Sequence, residues 1–592
     1  MRERMIQGMK KNVFVAMLLA LVLLTSSVLA AEYTYNPEKP YDGVMTGWFN
    51  NVAITAGEDT GLATYYLPEG MTPWAQATIV LTPDGITAEA FAATDIGAQW
   101  KALADELKIG VAFLAPVDGT WNLDLQGADD GEVLNQLYFT MRSKSVKLDA
   151  PFSMDKTHTS LVGYGEGGTA ALLFGAEYVT NFASITAIGA ADVPAESLAT
   201  IAKQTVLPFP ANDALFSEEM NVLAETVGCP VWFLNTEAPN AEAYFAATAA
   251  ACKNGKVDQK KTAEEKTVAE VYAEFAGKYN RFMGMADGGR VEYTTDMTGK
   301  NFIFNEEVIN GEPRRWITYV PSSYDGTKAV PVVMSIHGYT ASMESMVEES
   351  RWWEIAEKEG FIAIFPQGYV RDVPMMGNVP CAMWLGAAFK QLAPELDPLT
   401  DVYFLTEVFN KTEATYNVDK TRVYVTGHSN GSMMTLSLAA EHAERFAAIG
   451  PIAGFGQGAF TTTANVPTWM MCGQYETSMR DLVEGGSSVS QIKVVNAQNG
   501  LNETKIEKSE QYDGQWKTIT FSTEAGVPMT KFTVIDRTSH IYMPENAEKL
   551  WYDFFTHYTR GEDGTVYYDG VAVEKGAYAE DTTWYAPAPE AK

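Results

Sequence analysis

The strongest constraint on this 592-residue chain is that its blocks occur twice, in the same order. "ATYYLPEG" (63–70) precedes "ATIVLTPDG" (77–85), as "WITYVPSS" (316–323) precedes "PVVMSIHG" (331–338). "WKALADELKIGVAFLAP" (100–116) parallels "WWEIAEKEGFIAIFP" (352–366), each a helix-period segment running into an apolar strand. Two glycine turns follow, "LVGYGEGGTA" (161–170) and "VTGHSNGSMM" (425–434), each opening an Ala-rich helix. "CPVWFLNTE" (229–237) then parallels "VPTWMMCGQYE" (466–476), with Trp232 opposite Trp469. Paired blocks in one order are the signature of a tandem duplication.

Within each copy, short apolar runs alternate with amphipathic helices. "PVVMSI" and "RVYVTG" are near-continuous apolar runs, as central parallel strands covered on both faces require. "NFIFNEEVINGEPRRWITYVP" reads as an antiparallel hairpin with Asn-Gly at its turn. The fold class is therefore α/β: two doubly wound, mostly parallel sheets in tandem, at about 31–285 and 286–560. The tail, 561–592, is polar and aromatic and is expected to fray.

Only the second glycine turn is armed. Gly427-His428-Ser429-Asn430-Gly431 fits G-x-S-x-G, in which the glycines permit a sharp strand-to-helix turn that lifts the serine above the sheet. Such a serine needs a base, and the base needs a carboxylate to orient it. The chain order for this turn is serine, acid, histidine. Of the histidines downstream, His442 sits in the helix that begins at the turn and His557 closes a C-terminal helix. His540 follows the strand "KFTVID" in a short loop and is the candidate base. Glu476, just past "TWMMC", is the candidate acid, with Asp481 and Asp536 as alternatives. The oxyanion of a tetrahedral intermediate needs backbone N–H donors. Tyr339, in the "HGYTAS" loop (337–342), and Asn430 would supply them, with His337 and Gly338 supporting the loop. Trp352, Tyr369 and Trp384 fall near this end and are candidate substrate contacts, although Trp352 equally begins a core-facing helix.

These residues give the second half a resemblance, over roughly 300–556, to the polyhydroxybutyrate depolymerase family, which overlaps feruloyl and acetylxylan esterases. It rests on the HG loop, "FPQG" (365–368), "CAMW" (381–384) and the run "TDVYFLTEVFNKTEATYNVDKTRVYVTGHSNGSMMTLSLAAEHAERFAAIGPIAGF". Asp401, Asp419, Arg422 and Phe446 stand where the family has them. The resemblance implies an α/β-hydrolase domain that cleaves ester bonds with Ser429 as nucleophile and His540 as base, needing no cofactor and no metal. Two departures are plain: "CGQYE" places a glutamate where the family often has aspartate, and Tyr339 replaces a usual cysteine.

The first half, read as a degenerate α/β-hydrolase-like domain, has Gly165 in place of the serine and "PDG" (83–85) in place of "IHG". No histidine lies between His158 and His337. The expected function is a secreted serine esterase acting on polyester or on feruloyl or acetyl esters of plant polysaccharide. An exported serine peptidase and a non-catalytic binding protein are the alternatives. The net charge of −32 disfavours nucleic acid and anionic membranes as partners. Arg2, Arg4, Lys10 and Lys11, then "VFVAMLLALVLL", then "TSSVLA" make residues 1–30 a secretory signal, with the mature chain beginning near Ala31 and carrying no stable membrane span. Export permits disulfides. Cys229 begins a strand and Cys252 ends the segment that returns beside it, while Cys472 ends its strand and Cys381 lies in a loop after "FIAIFP" at the same end, which predicts bridges 229–252 and 381–472.

Overall fold

The apolar runs at 330–336 and 418–428 become neighbouring parallel strands in the middle of a sheet, buried where they are most apolar. The structure is a computed structural model. It describes residues 46–588 except 72–74, 124, 126–128, 144–153, 180, 203–227, 236–239, 252–257, 283–289, 299–300, 340, 374–378, 387–396, 398, 457–459, 512–513 and 537. The expected signal segment and Cys252, with its expected bridge to Cys229, lie outside the described residues. No helix among the described residues is long and apolar enough to cross a membrane.

Two compact units are present, with the principal division between Thr295 and Asp296. The first unit's sheet comprises β1 (Gly47–Ala56), β2 (Asp59–Leu67), β3 (Ala75–Leu81), β4 (Gly110–Leu114), β5 (Met154–Tyr164), β6 (Ser184–Ile188), β7 (Val231–Leu234) and β8 (Gln259–Thr262). Their order is β1-β2-β4-β3-β5-β6-β7-β8, with the β1–β2 and β2–β4 pairs antiparallel and the rest parallel. A hairpin of β9 (Tyr279–Phe282) and β10 (Arg290–Tyr293) closes the unit. It carries the first unit past the expected 285/286 boundary because β10 pairs with β9 and the Tyr279 and Tyr293 hydroxyls both donate to Asp258, each at 2.7 Å.

The second sheet repeats that order strand for strand. It is built from β11 (Phe302–Ile309), β12 (Glu312–Tyr319), β13 (Val330–Ile336), β14 (Ile362–Pro366), β17 (Val418–His428), β18 (Ala448–Ile452), β19 (Thr468–Gly473), β20 (Ile506–Gln511), β21 (Trp516–Ser522) and β22 (Pro528–Ile535). A separate pair, β15 (Tyr369–Val373) and β16 (Val379–Met383), lies between them in the chain. The order is β11-β12-β14-β13-β17-β18-β19-β22-β21-β20, so antiparallel β21 and β20 are the additions. The expected hairpin is β11–β12, turning at Asn310 (φ 55°) and Gly311 (φ 83°), the left-handed pair that a two-residue turn demands.

Side chains repeat along with the strands. Trp232 donates to Thr262 Oγ1 (2.9 Å) beneath the Lys260 ammonium, and Trp469 donates to Thr533 Oγ1 (2.8 Å) beneath that of Lys531. Burial beside Trp469 pulls the Lys531 pKa down to about 8. Buried Arg281 donates through Nε to Phe182 O, and buried Arg560 does the same to Phe446 O.

The tail is docked, contrary to the expectation of fraying. β23 (Tyr558–Arg560), β24 (Val566–Tyr568) and β25 (Val571–Ala572) form a small sheet. Beyond it, Ala579 N–H donates to Leu501 O (3.1 Å) and Ala586 N–H to Leu482 O (2.8 Å). Trp584 is buried, its Nε1–H on Glu503 Oε2 at 3.1 Å. Aromatic side chains that the sequence shows only as composition supply the apolar area that holds this segment down.

Candidate active site

Ser429 has φ 54° and ψ −114°, between β17 and the helix Asn430–His442. A non-glycine residue held at such angles costs on the order of 1–3 kcal/mol and persists only where its surroundings dictate it. Here they do. A Cβ on Gly427 would stand 2.3 Å from Gly431 O, and one on Gly431 would stand 2.2 Å from Ile336 O. Both glycines are therefore required by the close crossing of strand, helix and the loop after β13. The Ser429 N–H is tied to Ile452 O at 2.8 Å.

The first unit keeps this turn without its hydroxyl. Gly165 has φ 57° and ψ −124°, and its N–H donates to Ile188 O at the same 2.8 Å. Register differs from the expected alignment in one respect. Gly167 crosses Thr82 O and Leu81 O, as Gly431 crosses His337 O and Ile336 O. The residue in His337's place is therefore Thr82, and Asp84 lies beyond it. A gapless reading of "PDG" against "IHG" misplaced the pair, because the strand pairing and not the glycine fixes the register.

β19 and β22 are parallel neighbours, and their C-terminal ends bring the candidate acid and the candidate base together. A Cβ on Gly473 would lie 2.3 Å from Thr538 O and 2.4 Å from Ser539 O, so only glycine lets the two loops touch. Across that contact His540 Nδ1 donates to Glu476 Oε1 at 2.6 Å, while Glu476 Oε2 accepts from Gly473 N–H, also at 2.6 Å. The Glu476 side chain is 5% exposed and that of His540 48%, so the carboxylate is shielded and the imidazole is accessible. The alternatives go elsewhere: Asp481 pairs with Arg480 (3.0 Å) and Asp536 with Lys517 (2.5 Å). Among the described residues the hydrogen bond of His540 runs to Glu476 and none joins it to Ser429. The ring of His428, the residue before the serine, lies 4.9 Å from the His540 ring, which places the candidate base near the turn.

The loop after β13 is tied down through the imidazole of its first residue. His337 Nδ1 donates to Gly338 O (2.6 Å), and Nε2 accepts from Gly368 N–H (2.8 Å), the glycine of "FPQG". Burial pulls the His337 pKa down to about 4, so this imidazole is neutral and holds the loop without moving protons. Gly338 is buried at the turn and Tyr339 half-buried after it. Asn430 is buried at the first position of the helix.

The three candidate substrate aromatics are not surface groups. Trp352 is fully buried, its Nε1–H on the Tyr542 hydroxyl (2.9 Å). Trp384 is fully buried with its ring stacked on Phe404. Tyr369 is 6% exposed and lies under the Arg314 guanidinium. Each ring is spent on packing within the unit. The expected 381–472 bridge is also absent: Cys472 is a free thiol buried in β19, whose strand neighbours on both sides enclose it, and burial raises its pKa well above the usual thiol value. Among the described residues no cluster of histidine, cysteine or carboxylate is arranged to hold a metal.

Two residues that sequence reasoning missed are Gly473 and Gly454. Gly454 lets the loop after β18 pass beneath Ser429, since a Cβ there would lie 2.1 Å from Ser429 O. Their signal was a glycine at the end of each apolar run, "MMCG" and "PIAG", but a strand-terminal glycine is common in any sheet.

The putative esterase family, Esterase, matches residues 308–519, a span that holds Ser429 and Glu476 and stops before His540. Over 170 residues the chain is 32% identical to a probable acetylxylan esterase A of Neosartorya fischeri, covering 28% of this chain and 43% of that one. Over 156 residues it is 30% identical to feruloyl esterase B of Neurospora crassa, covering 26% and 47%. The chain thus spans less than half the length of these relatives. An acetyl xylan esterase from Aspergillus awamori aligns with 43% of this chain and 99% of its own at 15% identity, with a TM-score of 0.30.

Proposed function

We propose, for a chain whose second half belongs to the esterase-like α/β-hydrolase family, that it is an exported serine esterase working through an acyl-enzyme at Ser429. The observation that carries this reading is the 2.6 Å contact between His540 Nδ1 and Glu476 Oε1, made at the end of the sheet where the strained serine turn stands. Nδ1 then keeps its proton, and Nε2 is the free acceptor for the serine proton.

Ser429 Oγ attacks the ester carbonyl carbon while His540 Nε2 takes its proton. The carbonyl oxygen becomes an oxyanion held by the N–H groups of Tyr339 and Asn430. Collapse breaks the bond to the alcohol oxygen, which leaves with the proton from His540. Water then attacks the acyl-enzyme, giving its proton to His540. The second collapse returns that proton to Ser429 and releases the carboxylic acid. The substrate class is an acetyl or feruloyl ester of plant polysaccharide or an aliphatic polyester, a choice supported by the names of the relatives and by the resemblance of the motifs. The first unit is a copy that has kept the fold and lost the chemistry.

The test is hydrolysis of p-nitrophenyl acetate, acetylated xylan, feruloylated xylan, short-chain polyhydroxybutyrate and a p-nitroanilide peptide. Ester turnover that disappears in Ser429→Ala supports the reading. Peptide cleavage without ester cleavage, or no turnover of any substrate, overturns it.

A further inference from the structure

The geometry points to the Asn430 side chain as a positioning residue that aims the oxyanion donors, by clamping the backbone of Trp384. The inference rests on the esterase reading of the same site. Asn430 Oδ1 accepts from Trp384 N–H at 2.7 Å, and Asn430 Nδ2 donates to Trp384 O at 3.0 Å. A side-chain amide that satisfies both polar groups of one buried residue is fixed in orientation, and it carries with it the first N–H of the helix that follows Ser429. Trp384 in turn donates through Nε1 to His337 O at 2.9 Å, and His337 is the residue that opens the loop bearing Tyr339. The strip 384–385 therefore touches both segments that carry the two expected oxyanion donors. It is anchored from behind by the Leu385 N–H bond to Asp401 Oδ2 (2.7 Å), and Asp401 pairs with buried Arg314 at 2.8 Å.

The first unit separates what belongs to the fold from what belongs to the chemistry. Trp121 Nε1–H donates to Thr82 O (2.7 Å), and Asn122 N–H donates to Asp130 Oδ2 (2.7 Å), reproducing the tryptophan and aspartate anchors. The clamp is missing. Glu166 stands in Asn430's place, a carboxylate cannot donate to a carbonyl, and the Trp121 N–H goes to Asp84 Oδ1 (2.9 Å) instead. The tryptophan survives where the reaction does not, and the asparagine occurs only beside the serine.

The test compares Asn430→Ala and Asn430→Asp with wild type, with active sites counted by fluorophosphonate titration. We expect kcat per titrated site on p-nitrophenyl acetate to fall about tenfold or more in Asn430→Ala, below the 10²–10³ of deleting a donor outright because the N–H remains. KM should change less than about threefold, since the loss is felt in the transition state. Inhibition by a trifluoromethyl ketone, which forms a tetrahedral adduct, should weaken by the same factor as kcat/KM. Asn430→Asp should lose more, because it adds negative charge beside the developing oxyanion. A purely structural role would lower the titrated fraction and the melting temperature while leaving kcat per site within about twofold, and that result overturns the inference. Should neither variant fold, Asn430→Ser is read by the same measurements. Absence of wild-type esterase activity would instead sink the functional reading beneath it.

Discussion

Replacing Glu476 by glutamine tests the site most sharply, because both carboxylate oxygens accept. Oε1 takes the His540 Nδ1 proton and Oε2 takes the Gly473 N–H, each at 2.6 Å. Glutamine has one oxygen and one NH2. If the oxygen serves His540, the NH2 meets the Gly473 N–H, donor against donor. If the oxygen serves Gly473, the NH2 faces His540 Nδ1 and demands the tautomer whose Nε2 carries the proton and cannot accept another. The change also removes the charge that stabilises the imidazolium. At about 4 Å between charge centres and an effective dielectric of about 20, that interaction is about 4 kcal/mol, or about 10³ in rate. Glu476→Gln should therefore lower kcat/KM by about 10³–10⁴, in line with the wrong-tautomer penalty known for triads. Asp481→Asn, whose carboxylate among the described residues pairs with Arg480, should stay within about twofold. Steady-state kinetics on p-nitrophenyl acetate, with circular dichroism to verify folding, provide the readout. If Glu476→Gln keeps more than a tenth of wild-type kcat/KM, or Asp481→Asn is the more damaging, the assignment of the acid is wrong.

Ser429→Ala should reduce turnover by at least about 10³, and adding Gly165→Ser should restore none of it. The added Cβ would meet Pro83 at an ordinary 3.6 Å, with the φ of 57° its main strain, so failure would reflect the lack of a histidine between His158 and His337 to serve as base, with Thr82 and Glu166 at the positions of His337 and Asn430; recovered activity would refute the inert reading of the first unit. Burial places the His337 pKa at about 4, below its unfolded value of about 6.5. Its contribution to stability is therefore complete above about pH 6.5 and lost as pH falls toward 4, by up to about 3 kcal/mol. Urea titrations should show this as a loss that is smaller in His337→Asn than in wild type. The difference between the two proteins is the quantity to read, because His158, also lowered to about 4 by burial, contributes in the same direction and Glu177, raised to about 7, in the opposite one. Trp584→Ala removes a buried indole and its bond to Glu503, and should destabilise the second unit by about 3–5 kcal/mol. A melting temperature unchanged in that variant would show that the tail is not docked as described.

Much of the architecture was legible before any coordinates, because it is encoded locally. Apolar runs such as "PVVMSI" and "RVYVTG" declare buried strands, Asn310-Gly311 declares a hairpin, and the two glycine turns declare a strand-to-helix crossing in each half. The strained serine turn was legible for the same reason, since Gly427, Ser429 and Gly431 lie within one turn of chain. What required the tertiary structure was every choice among distant residues. Glu476, Asp481 and Asp536 are indistinguishable as carboxylates near a strand end, and only the crossing of Gly473 against Thr538 and Ser539 brings the first of them to His540. Trp352 and Trp384 look like substrate platforms in sequence and prove to be packed within the core, because a ring's exposure depends on which elements fold over it. Cys472 ends an apolar run that reads as a strand, but only the fold shows it as a free buried thiol, and Trp584 docks a tail whose composition suggested fraying. Thr82, not Asp84, stands in for His337 because strand pairing sets register and glycine position does not. Backbone conformation is decided by a few neighbours along the chain, so the sequence carries it on its face. The pairing of side chains is decided by burial and closure between segments far apart in sequence, so many alternatives remain open until the fold selects among them.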